Sequence, residues 1–126
     1  MIKESKLEKL PSGMDFFAAA VIAKPVSFFE QLLGTELKQY CDDLDYFRAA
    51  IFRTSKNEPF AIIQYRGGNP ATTTIYVPAR VHPYDEEQLT LIKEKFRAIQ
   101  QELQIQDEEI VWHPGLNSRE FRRRDT

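Results

Sequence analysis

The segment from Glu86 to Leu103 constrains the fold of this chain more than any other part of the sequence. Its apolar residues recur at alternating spacings of three and four, which places them on one face of an α-helix. They are Leu89, Ile92, Phe96, Ile99 and Leu103. The opposite face is expected to carry Lys93, Lys95, Arg97 and Gln101. Because Asp85 and Gln88 also form a capping-box pattern, we predict an amphipathic helix lying on a sheet of its own domain, with a helix–helix dimer seam as the alternative.

A buried strand and a second helix are predicted in the first third of the chain. The continuous apolar run Phe16–Ala23 contains alanines that favour a helix, but its length and the proline that follows suit a buried strand. Ser27 and Glu30 have the spacing of a capping box, and Gly34 stands where a helix C-cap is expected. A short helix is therefore predicted over Pro25–Leu33.

The middle of the chain predicts an antiparallel sheet. Its β-rich segments are Tyr46–Thr54, Phe60–Tyr65 and Thr72–Val77, separated by a loop of hairpin length at 55–58 and by a Gly-Gly-Asn-Pro turn at 67–70. Residue pairs two or four apart are expected to share buried faces: Phe47 and Ile51, Phe60 and Ile62, Ile75 and Val77. With a further strand at Glu109–Trp112, the order predicts an α+β fold with a mainly antiparallel curved sheet and two main helices.

The length of 126 residues suits a single domain. We predict a polar, mobile leader at residues 1–13, an α+β domain at 14–118, and an arginine-rich C-terminal strand or tail at 119–126. Cys41 is the only cysteine, which excludes a disulfide scaffold. Since the charged N-terminus lacks the apolar run of a signal peptide and no apolar stretch is long enough to span a bilayer, we predict a cytoplasmic protein that does not enter the membrane.

Two segments resemble the vicinal oxygen chelate superfamily, which contains the glyoxalases, the bleomycin-resistance proteins and the extradiol dioxygenases. Val26–Leu37 is similar to that family's first helix, with an aromatic pair, then Leu-Gly, then a short strand. The segment from Trp112 to Asp125 is similar to its late region, in which a glycine turn leads to an aromatic-bearing strand. The resemblance implies two successive β-α-β-β-β modules, and it favours the strand at Phe16–Ala23.

The chain departs from the family pattern where metal ligands are expected. The corresponding neighbourhoods carry Met14-Asp15-Phe16, Gln64 and Thr72-Thr73-Thr74, and the chain stops at Thr126, before the family's last strand and its usual acidic ligand. The resemblance therefore implies a member without a metal or other cofactor, closer to the binding proteins than to the enzymes. Our leading hypothesis is a non-enzymatic module that binds a small molecule or a protein partner and forms a homodimer.

Aromatic and polar residues on the predicted strands are candidate ligand contacts. Small-molecule sites are mostly apolar pockets with a few polar groups, and a concave sheet presents side chains in that way. The candidates are Arg48, Tyr65, Tyr76 and Trp112, with Tyr46 beside them. The alternative is that these residues only pack the core and surface. Arg66 and the glycines after it lack the Lys-Ser/Thr of a phosphate-binding loop, so we interpret them as a turn.

His82 and His113 are weaker candidates, for catalysis. Each follows a predicted strand and precedes a proline, and the acidic residues 85–87 lie near the first histidine. Two histidines and one carboxylate can hold a divalent metal, so an alternative function is a metal-dependent vicinal-oxygen-chelate-type enzyme. Cys41 is a poor nucleophile candidate because Asp42 and Asp43 follow it, whereas a reactive thiolate needs a positive environment. We expect it to be a buried or half-buried structural cysteine.

The C-terminus carries the one dense basic cluster of the chain. It consists of Arg119, Arg122, Arg123 and Arg124. Arginines there can contact phosphates, with Phe121 available for stacking, which gives a nucleic-acid-associated factor as a third hypothesis. Glu120 and Asp125 dilute the cluster, and the net charge of −2 provides no general attraction to nucleic acid. A solvated terminus is therefore the favoured interpretation.

Overall fold

A computed structural model of the chain describes residues 2–5, 10–41, 46–83 and 85–114. Its strands are β1 (Lys3–Ser5), β2 (Met14–Ile22), β3 (Lys38–Cys41), β4 (Tyr46–Arg53), β5 (Pro59–Tyr65), β6 (Thr73–Arg80) and β7 (Ile110–Trp112). Its helices are α1 (Val26–Leu33) and α2 (Glu86–Leu103), with a 3₁₀ turn at Asp107–Glu109 before β7. The predicted arginine-rich segment at 119–126 lies outside the described residues.

The described strands form one antiparallel sheet in the order β1-β4-β5-β6-β2-β7, and β3 pairs with β4 as well. β1 and β3 share the outer edge of β4, where β1 lies opposite Ile51–Arg53 and β3 lies opposite Tyr46–Ala49. The α+β class with an antiparallel curved sheet and two helices is confirmed. The segment predicted as a polar, mobile leader, 1–13, contains β1, whose three residues carry too weak a pattern to indicate a strand.

The apolar run near the start of the chain is a strand, as we predicted. β2 lies between β6 and β7, so it is hydrogen-bonded on both sides and its alanine-rich sequence is buried rather than helical. Its register shifts between Ala18 and Ala20, and both Ala19 and Ala20 are buried in the core. Small side chains at this bulge allow two consecutive residues to face the same layer.

Both helices pack on the same face of the sheet. From the strands, the core contains Phe52, Phe60, Ile62, Ile75 and Val77. From the helices, it contains Val26, Phe29, Ile92, Phe96 and Ile99. Each fully buried Phe or Ile contributes roughly 1.5–3 kcal/mol by its removal from water. The stripe on α2 therefore packs on the sheet of its own domain, as predicted, while Phe47 and Ile51 belong by strand alternation to the opposite face.

The start of α1 differs from the predicted capping box. Pro25 is the N-cap residue, and no side chain caps the helix there. The carboxylate of Glu30 instead accepts a hydrogen bond from the backbone N–H of Leu37, at 2.8 Å from Oε2. The predicted C-cap is confirmed, because Gly34 adopts a left-handed conformation with φ of 67° that costs a glycine little.

The bounds of α2 and its N-cap are as predicted, but two of its side chains form hydrogen bonds with the backbone of β6. Asp85 accepts a hydrogen bond from the backbone N–H of Gln88 at 3.2 Å. Gln88 does not complete the box, since its buried side chain accepts from the backbone N–H of Arg80 at 2.9 Å. Lys95, predicted on the polar face, donates from Nζ to the carbonyl of Pro78 at 2.7 Å. Neither described helix has the length and apolar character needed to cross a membrane.

Removing the Asp85 cap tests how much the long helix depends on it. Asp85→Ala deletes the acceptor for an otherwise unpaired backbone N–H, so we expect the free energy of unfolding to fall by about 1 kcal/mol. Asp85→Asn keeps an accepting oxygen and loses only the charge at the helix N-terminus, so its loss should be smaller. Urea denaturation followed by circular dichroism measures both. Equal losses in the two variants would contradict the capping role.

Candidate ligand-binding site

A polar surface extends the helix-side face of the sheet beyond the apolar core. Residues at alternate positions of a strand share a face, so Arg48 lies on the same face as Ala50 and Phe52. The register places Gln39 and Gln64 on either side of Arg48, across β3, β4 and β5. We call this region the polar shelf and define it by the side chains of Gln39, Tyr46, Arg48, Gln64 and Arg66.

The polar shelf borders an open pocket of about 430 Å³. Besides the five shelf residues, Phe47 and Tyr65 contribute to its lining. Tyr46, on the shelf face, is 51% exposed, and Tyr65, whose ring lies on the opposite face, is 44% exposed. Arg66 follows β5 directly, and its backbone N–H donates to the carbonyl of Tyr46 at 3.1 Å, which ties the two rims of the pocket together.

The arginines of the polar shelf have no carboxylate partner among the described residues. Arg48 donates from Nη2 to Oε1 of Gln64 at 2.7 Å. Within the described parts of the chain, the one ion pair joins Lys24 to Glu109 at 3.3 Å. Two guanidinium groups therefore face an open pocket without neutralisation by a described side chain. The loop 42–45, which carries three aspartates, lies outside the described residues.

An aromatic row on the opposite face stiffens the same corner of the sheet. Tyr40, Phe47 and Tyr65 lie side by side on β3, β4 and β5. Their ring centroids are 5.7 Å apart for Tyr40 and Phe47, and 5.6 Å apart for Phe47 and Tyr65. Aromatic pairs of this geometry contribute about 0.5–1.5 kcal/mol each beyond area burial. These ring contacts support the strands that carry Arg48 and Gln64 from the opposite face of the sheet.

The four predicted ligand contacts do not all meet in one place. Arg48 and Tyr65 both border the pocket, whereas Tyr76 lies in mid-sheet opposite Ala18 and Ala61. Trp112 is on β7, four strand positions from β4, which corresponds to roughly 19 Å at the usual strand spacing. Side-chain chemistry alone does not separate these four residues, because their separation depends on the strand order, which pairs segments far apart in the chain.

Gln39, Gln64 and Arg66 were missed as members of a pocket. The sequence pattern indicates only a family metal position for Gln64 and only a turn for Arg66. The turn itself is confirmed, since the backbone N–H of Gly68 donates to the carbonyl of Tyr65 at 3.1 Å. A signal was present: polar residues at 64 and 66 continue the alternation that begins with Phe60 and Ile62, so they had to follow the core on the same face.

The structure does not bring the two histidines together. His82 follows β6 beyond the Met14 end of β2, and His113 follows β7 at the Val21 end. Met14 and Val21 are 21 − 14 = 7 residues apart, or about 23 Å at 3.3 Å per residue. No cluster of three or more His, Cys, Asp or Glu side chains suited to a metal occurs in the described ranges.

Cys41 lies on β3 and is exposed, which corrects the expectation of a buried or half-buried residue. β3 is too short and too near the sheet edge to cover it. The basic cluster formed by Arg119, Arg122, Arg123 and Arg124 lies outside the described residues. Its proposed contact with nucleic acid therefore stays a prediction from sequence.

Comparison with known proteins gave no relative. No protein-family model matches the chain, and neither does any curated protein or solved structure. The resemblance to the vicinal oxygen chelate superfamily therefore gains no support beyond the residues that suggested it.

Tyr76 provides a test of how closed the uncovered face of the sheet is. Burial raises the pKa of its phenol above 10.0, and the charge of Tyr65 raises it further. Because the pKa of Tyr76 is raised in the folded state, the buried neutral phenol contributes its full folding stability below the unfolded-state pKa. That contribution is lost as the pH rises through the folded-state pKa. In an alkaline absorbance titration, we expect a late-ionising tyrosine that disappears in Tyr76→Phe.

The matched variant is Tyr65→Phe, which should move that late ionisation to lower pH while leaving it present. If the late component persists unchanged in Tyr76→Phe, the burial assigned to this phenol is wrong.

Proposed function

We propose that this chain is a non-enzymatic binding module that holds a small molecule on the polar shelf. The observation that carries the proposal is the pair Arg48 and Arg66, which border an open pocket without a described carboxylate partner. An arginine pair presents several directed N–H donors, and such groups fix the orientation of a ligand in an otherwise apolar site. The pocket volume of about 430 Å³ falls in the range of small-molecule sites.

The chemistry of the lining supports binding rather than catalysis. The described residues around the pocket are glutamines, arginines and aromatics, with no histidine, cysteine, aspartate or glutamate among them. General acid–base catalysis at neutral pH normally uses one of those side chains, and nucleophilic catalysis needs an activated group with a base beside it. A pocket lined in this way is suited to recognising a ligand, not to transforming it.

The family resemblance remains part of this proposal in one respect. In chain order, β2-α1-β3-β4-β5 and β6-α2-β7 each begin strand–helix–strand, which is compatible with a vicinal-oxygen-chelate-like binding protein without a metal. The second module would need further strands after β7, where residues 115–126 lie outside the described chain. A homodimer and a cytoplasmic location, both expected from the sequence, also stay predictions.

A protein partner is the second candidate, and the exposure of Tyr46 and Tyr65 favours it. Aromatic and arginine side chains are enriched at the centres of protein interfaces. Against it stands the small extent of the pocket, whose volume of about 430 Å³ suits a single side chain or a small ligand. A stable protein complex instead buries a surface area of roughly 800 Å² on each partner.

The proposal is tested by screening a chemically varied fragment panel against the ¹⁵N-labelled protein by NMR. We expect hits to perturb signals of the polar shelf, above all the side-chain groups of Gln39, Arg48 and Gln64. The double variant Arg48→Gln with Arg66→Gln should lose those hits. Arg97→Gln, which changes an exposed arginine on α2, should keep them. Hits that cluster only around Trp112 or between the helices would overturn the assignment of the site.

A further inference from the structure

We infer that the ligand of the polar shelf is an aromatic oxyanion, that is, a planar ring carrying a carboxylate or a phosphate. This inference rests on the proposed function and names the chemical class that the site takes. The oxyanion lies between the side chains of Arg48 and Arg66, and the ring lies against Tyr46. Three features of the site lead to this class: its charge, its hydrogen-bond polarity and its aromatic rim.

The charge of the described site is positive and unopposed. Arg48 and Arg66 contribute two formal charges, and no described lining residue is acidic. Guanidinium groups remain charged at all physiological pH values and match the two oxygens of a carboxylate or phosphate in a bidentate arrangement. A cation or a neutral polyol would leave these donors without a strong acceptor. The arginines therefore favour an anionic ligand.

The hydrogen-bond polarity of the neighbouring amide points the same way. Arg48 donates to Oε1 of Gln64 at 2.7 Å, and this contact occupies the accepting end of the amide. The Nε2 end of Gln64 is therefore a donor available to the pocket. Because one Nη of Arg48 is held by Gln64, the guanidinium is oriented before a ligand arrives, which reduces the entropy lost on binding. The shelf thus presents donors from two different side chains around one position.

The aromatic rim adds a requirement for a flat apolar group. Tyr46 is half exposed at 51%, and by strand alternation its ring lies on the same face of the sheet as Arg48. Such rings stack on planar groups, and arginine guanidinium planes do the same. A bare inorganic anion would use the arginines and leave the ring of Tyr46 in water. A ring bearing an oxyanion satisfies both halves of the site.

An extended polyanion fits less well than a single oxyanion. Nucleic-acid sites follow the backbone with a row of basic side chains, whereas the described shelf supplies two arginines at one corner of the sheet. The net charge of −2 would further oppose a long polyanion. Binding of an oligonucleotide thus serves as a discriminating outcome of the test.

The test titrates the full chain with phenyl phosphate, benzoate, inorganic phosphate and benzyl alcohol, followed by NMR and calorimetry. We expect phenyl phosphate or benzoate to bind at the polar shelf, and inorganic phosphate and benzyl alcohol to bind at least ten-fold more weakly. Whichever of the first two binds more tightly identifies phosphate or carboxylate as the natural group. Affinity should fall as salt concentration rises, since exposed charges are screened.

Single variants separate the contributions of charge and ring. Arg48→Gln and Arg66→Gln should each weaken the better probe roughly ten-fold or more, because each removes a charged hydrogen-bond donor. Tyr46→Ala should weaken it while Tyr46→Phe, which keeps the ring, should not. Arg97→Gln serves as the charge-matched control and should bind normally. Since Arg66 is exposed and lies in the turn just after β5, its variant keeps the test valid if Arg48→Gln does not fold.

The outcomes distinguish this inference from the proposed function. If neutral fragments occupy the polar shelf and neither aromatic anion does, the inference is overturned while the binding module stands. If no small molecule binds the shelf at all, both fail. Inorganic phosphate binding as tightly as phenyl phosphate would remove the ring from the inference, and tighter binding of oligothymidylate to the shelf would replace the small ligand by nucleic acid.

Discussion

The structure depends above all on the burial of one face of the sheet under two helices. Along β4 and β5, the helix-side row consists of Phe52 and Ala50 on one strand and Phe60 and Ile62 on the other, all buried. The same row then continues as Arg48 and Gln64, where the apolar core ends. The strands cannot change face at that point, because alternation is a property of the extended backbone. A polar surface joined rigidly to the core is the result.

Local signals were sufficient for most of the helices and strands, and insufficient where a partner lay far along the chain. The bounds of α2 followed from a cap and a stripe contained within the helix itself. β1 has three residues and exists only because the edge of β4 is available to it. The pairing of β2 with both β6 and β7 decided between strand and helix for an alanine-rich run that local propensity would have made helical.

Long polar side chains were the least predictable part of the fold. Three helix side chains form hydrogen bonds with backbone groups outside their own helix. They are Glu30 with the N–H of Leu37, Gln88 with the N–H of Arg80, and Lys95 with the carbonyl of Pro78. Buried backbone groups require such partners, but a sequence does not reveal which distant N–H or C=O lacks one. The candidate site shows the same limit. Arg48 and Tyr65 could be named from sequence as candidate ligand contacts, whereas their grouping with Gln39 and Arg66 around one pocket depends on the strand register.

The position of the two arginines at the edge of the core sets the strength and the selectivity that the site can have. Exposed charges interact weakly across solvent, and at physiological salt their influence falls off over about 8 Å. The arginines alone would therefore hold any small anion loosely and with little discrimination. In the proposed complex, the ring of Tyr46 would exclude water from one side of the ligand, and a charged hydrogen bond gains strength as its surroundings lose water. Selectivity for the proposed aromatic oxyanion would therefore arise from the combination of Tyr46 with Arg48 and Arg66, because neither the charges nor the ring would supply it separately.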